Sequence, residues 1–126
     1  MQNILVVSGN DAGLVHMLSV LNKAGYETSG ASTFEEAREV LAGRSPDLVI
    51  ADQRLGAYNG LHVIISARAS HPGVSAIVTT PAWNRGLEVD AKGLDVECMV
   101  TPPDPAQWLG RISKALDSDR RARVAS

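Results

Sequence analysis

Short apolar runs alternate with segments of helical periodicity along the whole chain. The runs predict five strands, at residues 4–7, 26–29, 47–52, 76–80 and 96–100. Because parallel strands need a crossover connection, this alternation favours a parallel sheet with helices on both faces. The first and third runs are almost wholly aliphatic, as buried central strands are, whereas the second run alternates and suits an edge. We therefore predict an α/β fold, a doubly wound five-stranded parallel (βα)5 sheet.

The helical segments between the strands carry their own start and stop signals. Gly25 follows the first apolar stripe and is predicted to end that helix. Thr33 and Glu36 have the spacing of a capping box at the start of the second helix. Asp104, followed by proline, begins the fifth helix. The fourth segment, 84–92, contains a glycine and few apolar anchors, so we expect it to be short or mobile.

The composition is that of one globular domain. The chain has 126 residues, of which 44% are hydrophobic and 21% charged, and its net charge is −2. That weak charge gives no reason to expect a nucleic acid or a membrane surface as partner. The single cysteine, Cys98, cannot form an internal disulfide and is read as a small buried residue. No apolar run approaches the ~20 residues of a membrane span and no signal peptide is evident, so we expect a cytoplasmic location.

Small and polar residues follow the predicted strands at one edge of the sheet. In doubly wound sheets, ligands bind outside the carboxyl ends of the strands, beside the first and third. Asp52 closes an apolar run there and is placed to accept a phosphoryl group. The other residues expected around the same crevice are Ser8, Gly9, Thr80 and Thr101.

The residues around Asp52 carry a resemblance to a known family. The stretch 46–52, PDLVIAD, is followed by Leu55 three positions after the aspartate and by Gly60 eight positions after it. Further matches are Gly25-Tyr26, Thr79-Thr80 and Pro102. In this order and spacing the chain resembles a response-regulator receiver domain of the CheY-like superfamily. The resemblance implies a flavodoxin-like receiver fold with strand order 2-1-3-4-5 over residues 1–118, followed by a short charged tail, 119–126.

The resemblance also implies a phosphoryl switch. In the family, an acidic pair after the first strand holds Mg²⁺, and the third-strand aspartate attacks the phosphoryl donor. A hydroxyl on the fourth strand and a lysine after the fifth then contact the phosphoryl group. By position, Asp52 matches the phosphoacceptor, the backbone carbonyl of Arg54 a metal ligand, and Thr80 the hydroxyl. The acidic pair and the lysine fall on Ser8, Gly9 and Thr101.

The loss of three charged groups predicts an impaired switch. Mg²⁺ is usually held by one or two carboxylates together with phosphate oxygens, and phosphoryl transfer relies on cations to neutralise charge. Asp11 offers a replacement carboxylate, but Asn10 and Asp11 better fit a helix N-cap. We therefore predict a degenerate receiver, or pseudo-receiver, that acts as a protein-interaction module. No catalytic residue, cofactor or bound metal is expected.

Two alternatives stay open. A phosphorylatable receiver would accept a phosphoryl group on Asp52 through an atypical metal site formed with the Arg54 carbonyl. A ligand-binding domain would instead present the turn at residues 8–10 to an anion. No nucleophile–base pair stands out, so enzymatic turnover is not predicted.

The expected partners are proteins: a histidine kinase, a phosphotransfer protein, an output protein or a second copy of the chain. Tyr58 and Trp83 fall on loops at the same rim as Asp52 and are candidates for a partner surface, because aromatic residues are enriched at binding hot spots. Trp108 shares a helical stripe with apolar residues and is expected in the core. The basic segment 120–123 is read as cations at a helix C-terminus, not as a nucleic-acid site.

Overall fold

A computed structural model describes residues 2–101 and 104–125, with side chains except at positions 105 and 118–125. One parallel sheet contains the strands β1 (Asn3–Val7), β2 (Glu27–Ala31), β3 (Leu48–Asp52), β6 (Ser75–Thr80) and β7 (Glu97–Val100). Its strand order is β2-β1-β3-β6-β7. Since β6 and β7 are the fourth and fifth strands of this sheet, the predicted order 2-1-3-4-5 is confirmed. An antiparallel hairpin of β4 (Arg54–Leu55) and β5 (Tyr58–Asn59), which the sequence did not predict, follows β3.

In the described part of the chain, four helices connect the strands and a fifth follows the last strand: α1 (Asp11–Lys23), α2 (Phe34–Gly43), α3 (Gly60–Ser70), α4 (Arg85–Gly93) and α5 (Pro105–Ala125). All five predicted helical segments are therefore helical, and α4 is the shortest, with nine residues. The backbone of α5 continues through part of the predicted tail, and the division at residue 118 stays a prediction. The side chains of 120–123 and the residue Pro102 lie outside the described part. Within that part, no helix is both long and apolar enough to cross a bilayer.

The core lies on both faces of the sheet because residues 4–7 of β1 and 48–51 of β3 are all aliphatic. In β1, Ile4 and Val6 join one buried cluster, and Leu5 and Val7 join the other. Side chains alternate between the faces of a strand, so one aliphatic run supplies both layers. Trp108 of α5 is 2% exposed and belongs to the first of these clusters, as predicted. The edge position of β2 is also confirmed.

The helix ends show which local signals the sequence revealed. Gly25 has a φ of +97°, which follows from its place just beyond the end of α1. Thr33 accepts a hydrogen bond from the Glu36 amide at 3.1 Å, but the Glu36 carboxylate accepts from the Ser32 amide at 2.8 Å. The predicted capping box was thus half wrong, because its return bond reaches one residue further back. The Ser32 hydroxyl also donates to this carboxylate, at 3.0 Å, and the two bonds from Ser32 lower the pKa of Glu36.

Cys98 in β7 corrects a second prediction. Its side chain is half-buried, not fully buried, and packs at the margin of one core cluster. Burial, reinforced by the charge of Glu88, raises the pKa of its thiol, and the nearby Arg111 opposes that shift.

Candidate functional site

The Asp52 carboxylate at the end of β3 accepts a hydroxyl hydrogen bond on each of its oxygens. Ser8 Oγ lies 2.5 Å from Oδ2, and Thr79 Oγ1 lies 2.6 Å from Oδ1. These lengths are those of O–H···O⁻ bonds to an ionised carboxylate. Ser8 is 2% exposed and Thr79 is 1% exposed, so both hydroxyls need a partner inside the protein. The hydroxyls hold the carboxylate in one orientation.

Strand register brings the three residues together. Asp52 pairs with Thr79 across the β3–β6 ladder, and the Gln53 amide donates to the Thr79 carbonyl at 2.7 Å. Ser8 directly follows β1, and its amide donates to the Ala31 carbonyl at 3.0 Å. The carboxyl ends of neighbouring parallel strands meet at one edge of the sheet. The site is therefore a consequence of the sheet order.

Thr79, and not the predicted Thr80, presents its hydroxyl to Asp52. The Thr80 hydroxyl donates to the Ala82 carbonyl at 2.9 Å and belongs to the turn after β6. Successive side chains of a strand point to opposite faces, so only one of two adjacent threonines can face the carboxylate. The sequence contained no signal for the register, and the placement of Thr80 at the carboxylate was wrong.

A glycine, Gly60, allows the chain to pass close to the backbone of Asp52. The Gly60 amide donates to the Gln53 carbonyl at 2.9 Å. A Cβ at Gly60 would lie 2.1 Å from the Asp52 carbonyl oxygen, which real Cβ atoms do not approach so closely. The spacing of eight residues between Asp52 and Gly60 therefore reflects close backbone packing.

A cavity of about 640 Å³ opens beside the carboxylate. It brings together four of the five residues that the sequence placed around one crevice, namely Ser8, Gly9, Asp52 and Thr101, and it leaves out Thr80. His16 of α1, which no sequence pattern placed at the crevice, also lines the cavity, as does Arg54 of β4. Both are exposed.

The acidic complement of this cavity is small. Asn10 caps α1 by accepting from the Gly13 amide at 2.9 Å, as predicted. Asp11 is exposed in the first turn of the helix and is not among the cavity's lining residues. Among the residues whose side chains are described, no three His, Cys, Asp or Glu residues are grouped to hold a metal. Asp52 is the one carboxylate among the described residues that line the cavity, and each of its oxygens already accepts a hydroxyl bond.

Position 9 is the point nearest to the missing ligands. A Cβ at Gly9 would lie 3.9 Å from the Arg54 carbonyl oxygen, with no closer neighbour. A side chain there would have room and would face the carbonyl that the family resemblance assigns to the metal. Position 9 therefore has space for a side chain beside the Arg54 carbonyl.

The two candidate partner residues lie apart from this cavity. Tyr58 is 41% exposed and stacks on Phe34, with ring centroids 4.4 Å apart. Trp83 is 63% exposed and donates its indole N–H to Glu88. Trp83 lines a different cavity, of about 500 Å³, together with Val100 and Arg111. The two aromatic residues therefore do not share the cavity at Asp52.

Residues 4–107 match the family model described as response regulator receiver domain. This match covers most of the chain, so the chain belongs to the response-regulator receiver-domain family. It is therefore a receiver domain of the two-component signalling class.

Curated proteins with similar sequences carry regulatory names. The chain is 28% identical over 79 residues to the photosynthetic apparatus regulatory protein RegA of Rhodobacter capsulatus, covering 63% of this chain and 43% of that protein. It is 30% identical over 115 residues to the alginate biosynthesis transcriptional regulatory protein AlgB of Pseudomonas aeruginosa, covering 90% of this chain and 26% of that protein. It is 24% identical over 93 residues to sporulation initiation phosphotransferase F of Bacillus subtilis, covering 74% of this chain and 75% of that protein. The chain thus spans less than half the length of the first two.

Solved structures support the same fold. A CheY-like receiver domain protein from Methanospirillum hungatei JF-1 superposes with a TM-score of 0.89 at 23% identity, covering 97% of this chain and 98% of that one. The signal receiver domain of an HD domain-containing protein from Pseudomonas fluorescens Pf-5 gives a TM-score of 0.88 at 22% identity, covering 97% of this chain and 91% of that one. At these identities the likeness establishes the flavodoxin-like receiver fold alone, and it confirms the fold predicted from the sequence.

Proposed function

We propose that this chain is a degenerate receiver that signals by binding a protein partner, without phosphorylation of Asp52. The observation that carries the proposal is the pair of hydroxyl bonds on the carboxylate. Ser8 donates a hydrogen to Oδ2, on the side where the family has an acidic residue. A hydrogen donor thus occupies one of the acceptor positions that a cation would use.

The charge deficit argues against efficient phosphoryl transfer. Ser8, Gly9 and Thr101 replace two carboxylates and an ammonium, so neither a metal nor a lysine is available to neutralise the transferred group. Such electrostatic groups contribute on the order of several kcal/mol, and each ~1.4 kcal/mol lost slows the reaction about tenfold.

A protein partner fits both the family and the exposed surface. Three large apolar residues are exposed here: Trp83 in the loop before α4 (63%), Val89 on α4 (61%) and Val100 on β7 (44%). We propose this surface as the docking site for a histidine kinase, a phosphotransfer protein, an output protein or a second copy in a homodimer. Tyr58 is a separate candidate contact. The names of the related regulators and of the phosphotransferase support this choice of partner class.

The same proposal includes the absence of a cofactor, of enzymatic turnover and of a nucleic-acid partner, together with a cytoplasmic location.

The absence of phosphorylation on Asp52 is tested by incubating the protein with Mg²⁺ and a small phosphodonor such as acetyl phosphate, followed by intact-mass spectrometry. We expect no added phosphoryl group. Stoichiometric labelling that disappears in Asp52→Asn would refute the degenerate receiver and establish the alternative.

That alternative is a receiver that is phosphorylated on Asp52 through an atypical site. It is supported by one observation, namely that the Thr79 hydroxyl donates to the Asp52 carboxylate and that Arg54 lines the same cavity. In that case Mg²⁺ is a cofactor, held by Asp52 and the Arg54 carbonyl. Labelling would then depend on Mg²⁺ and would be lost on chelation.

An anion-binding role for the turn at residues 8–10 has less support. The Asn10 amide donates to Ser8 Oγ at 3.2 Å, and the Gly13 amide donates to the Asn10 side chain at 2.9 Å. These N–H groups are therefore already bonded. The adjacent Asp52 carboxylate would also repel an anion.

A further inference from the structure

We propose that Asp52, oriented by Ser8 and Thr79, binds a guanidinium group supplied from outside the chain. This inference rests on one part of the proposed function, namely that no Mg²⁺ binds in the crevice. It goes further by naming a guanidinium as the group that binds there.

The hydrogen bonds that Asp52 already accepts indicate which kind of group could bind to it. An ionised carboxylate offers about four acceptor positions, two on each oxygen. Ser8 takes one on Oδ2, and Thr79 takes one on Oδ1. One position on each oxygen remains, and no side chain among 2–101 and 104–117 donates to it. A guanidinium can engage both oxygens of one carboxylate with two parallel N–H groups, whereas an ammonium acts as a point charge, so acceptor capacity on both oxygens favours the guanidinium.

The charge of the site has no partner either. In the part of the chain whose side chains are described, no basic group lies within ion-pair distance of Asp52, whereas Arg111 does pair with Glu97 at 2.7 Å. Asp52 is half-buried and its two donors are fully buried, so an incoming cation would be screened less than at an open surface. The site therefore favours a cation that donates hydrogen bonds.

The cavity has the size and the lining for such a group and its stem. Its volume of about 640 Å³ falls in the range of small-molecule pockets, roughly 300–1,000 Å³. Met17 and Pro81 are among its lining residues and supply apolar surface against which a methylene chain could lie. Arg54 also lines this cavity from the exposed start of the hairpin, so its own guanidinium is the competitor that an experiment must exclude.

The test is an NMR titration of the full chain, without Mg²⁺, using N-acetyl-arginine amide and following backbone amide shifts. We expect saturable shifts at Ser8, Asp52 and Thr79, with a dissociation constant on the order of a few millimolar, as for one charged bidentate contact. N-acetyl-lysine amide should bind several-fold more weakly. N-acetyl-citrulline amide, which has the same shape without the charge, should bind at least tenfold more weakly.

Matched variants separate the site from general charge effects. Asp52→Asn should weaken binding at least tenfold, whereas Asp90→Asn, which removes an equal charge from the exposed face of α4, should leave binding unchanged. Arg54→Gln should strengthen binding only slightly, by relieving repulsion. An equal response to all three amides, or no saturable shift in the wild-type chain, would overturn the inference. Binding that emerges only in Arg54→Gln would overturn it too, because Arg54 would then be the occupant.

The source of the guanidinium is assigned by comparing agmatine with a short glycine-flanked arginine peptide. Tenfold tighter binding of the peptide assigns the site to a partner protein's arginine, and equal binding assigns it to a small molecule; either result supports the guanidinium site. Failure of this titration leaves the proposed function intact. Phosphorylation of Asp52 in Mg²⁺ would refute the proposed function without altering the metal-free titration.

Discussion

Removing the Ser8 hydroxyl should expose how strongly it is coupled to Asp52. The Ser8–Asp52 contact is 2.5 Å long and joins a buried hydroxyl to a half-buried carboxylate. A hydrogen bond to a charged group contributes about 1.5–3 kcal/mol, and the second bond of Ser8, from the exposed Asn10 amide at 3.2 Å, is replaceable by water. We therefore expect Ser8→Ala to lower the free energy of unfolding by about 2 kcal/mol, nearly all of it through Asp52.

The assay is a double-mutant cycle of Ser8→Ala and Asp52→Ala, with unfolding in urea followed by fluorescence. The free energy of unfolding falls by about 1–3 kcal/mol per M urea, so a loss of about 2 kcal/mol should lower the unfolding midpoint by roughly 1 M urea. The coupling energy between the two positions should reach at least about 1 kcal/mol. Ser75→Ala is the matched control, because its hydroxyl makes a neutral bond to the Ala115 carbonyl at 3.2 Å at the other end of β6. Its coupling to Asp52 should be near zero. A Ser8–Asp52 coupling no larger than this control would refute the reasoning.

Three further predictions test the surroundings of the site. Gly60→Ala should destabilise the chain by about 3 kcal/mol or more in urea unfolding, because its Cβ would lie 2.1 Å from the Asp52 carbonyl, and an unchanged midpoint would contradict that packing. The hydrogen bonds from Ser32 lower the pKa of Glu36, so Glu36 contributes to the free energy of unfolding above its unfolded-state pKa, and this contribution is lost as pH falls through the folded-state pKa. Glu36→Gln should therefore weaken the loss of stability at acid pH. Identical stability–pH profiles for the variant and the wild type would count against this role. Burial raises the pKa of the Cys98 thiol, so alkylation by iodoacetamide should be slower than for an unfolded-chain control at the same alkaline pH, and equal rates would argue that the thiol is not shielded.

The sheet could be predicted because its aliphatic runs leave little choice. A run such as Leu48–Ala51 must be buried on both faces, and burial on both faces of a parallel strand requires helices above and below it. The strand order then follows from the family resemblance. The positions of Asp52 and Thr101 at the sheet edge follow from the same strands.

The finer features depend on register, which the residue pattern does not encode. Thr79 and Thr80 are chemically identical neighbours, and only the pairing of β3 with β6 decides which hydroxyl meets Asp52. The hairpin of β4 and β5 has two residues in each strand, too few to show a period of two. The cap of α3 was missed because His62, which accepts from the Asn59 amide at 3.0 Å, is an unusual residue for that role.

The central claim is that Asp52 lies in a site that cannot hold a divalent cation. Its most direct test is calorimetric titration with Mg²⁺ of the wild-type chain beside Ser8→Asp/Gly9→Asp, in which the two carboxylates are returned to positions that face Asp52 and the Arg54 carbonyl. The account predicts no binding by the wild-type chain at millimolar Mg²⁺ and saturable binding by the double variant. Saturable binding by the wild-type chain that disappears in Asp52→Asn would contradict it.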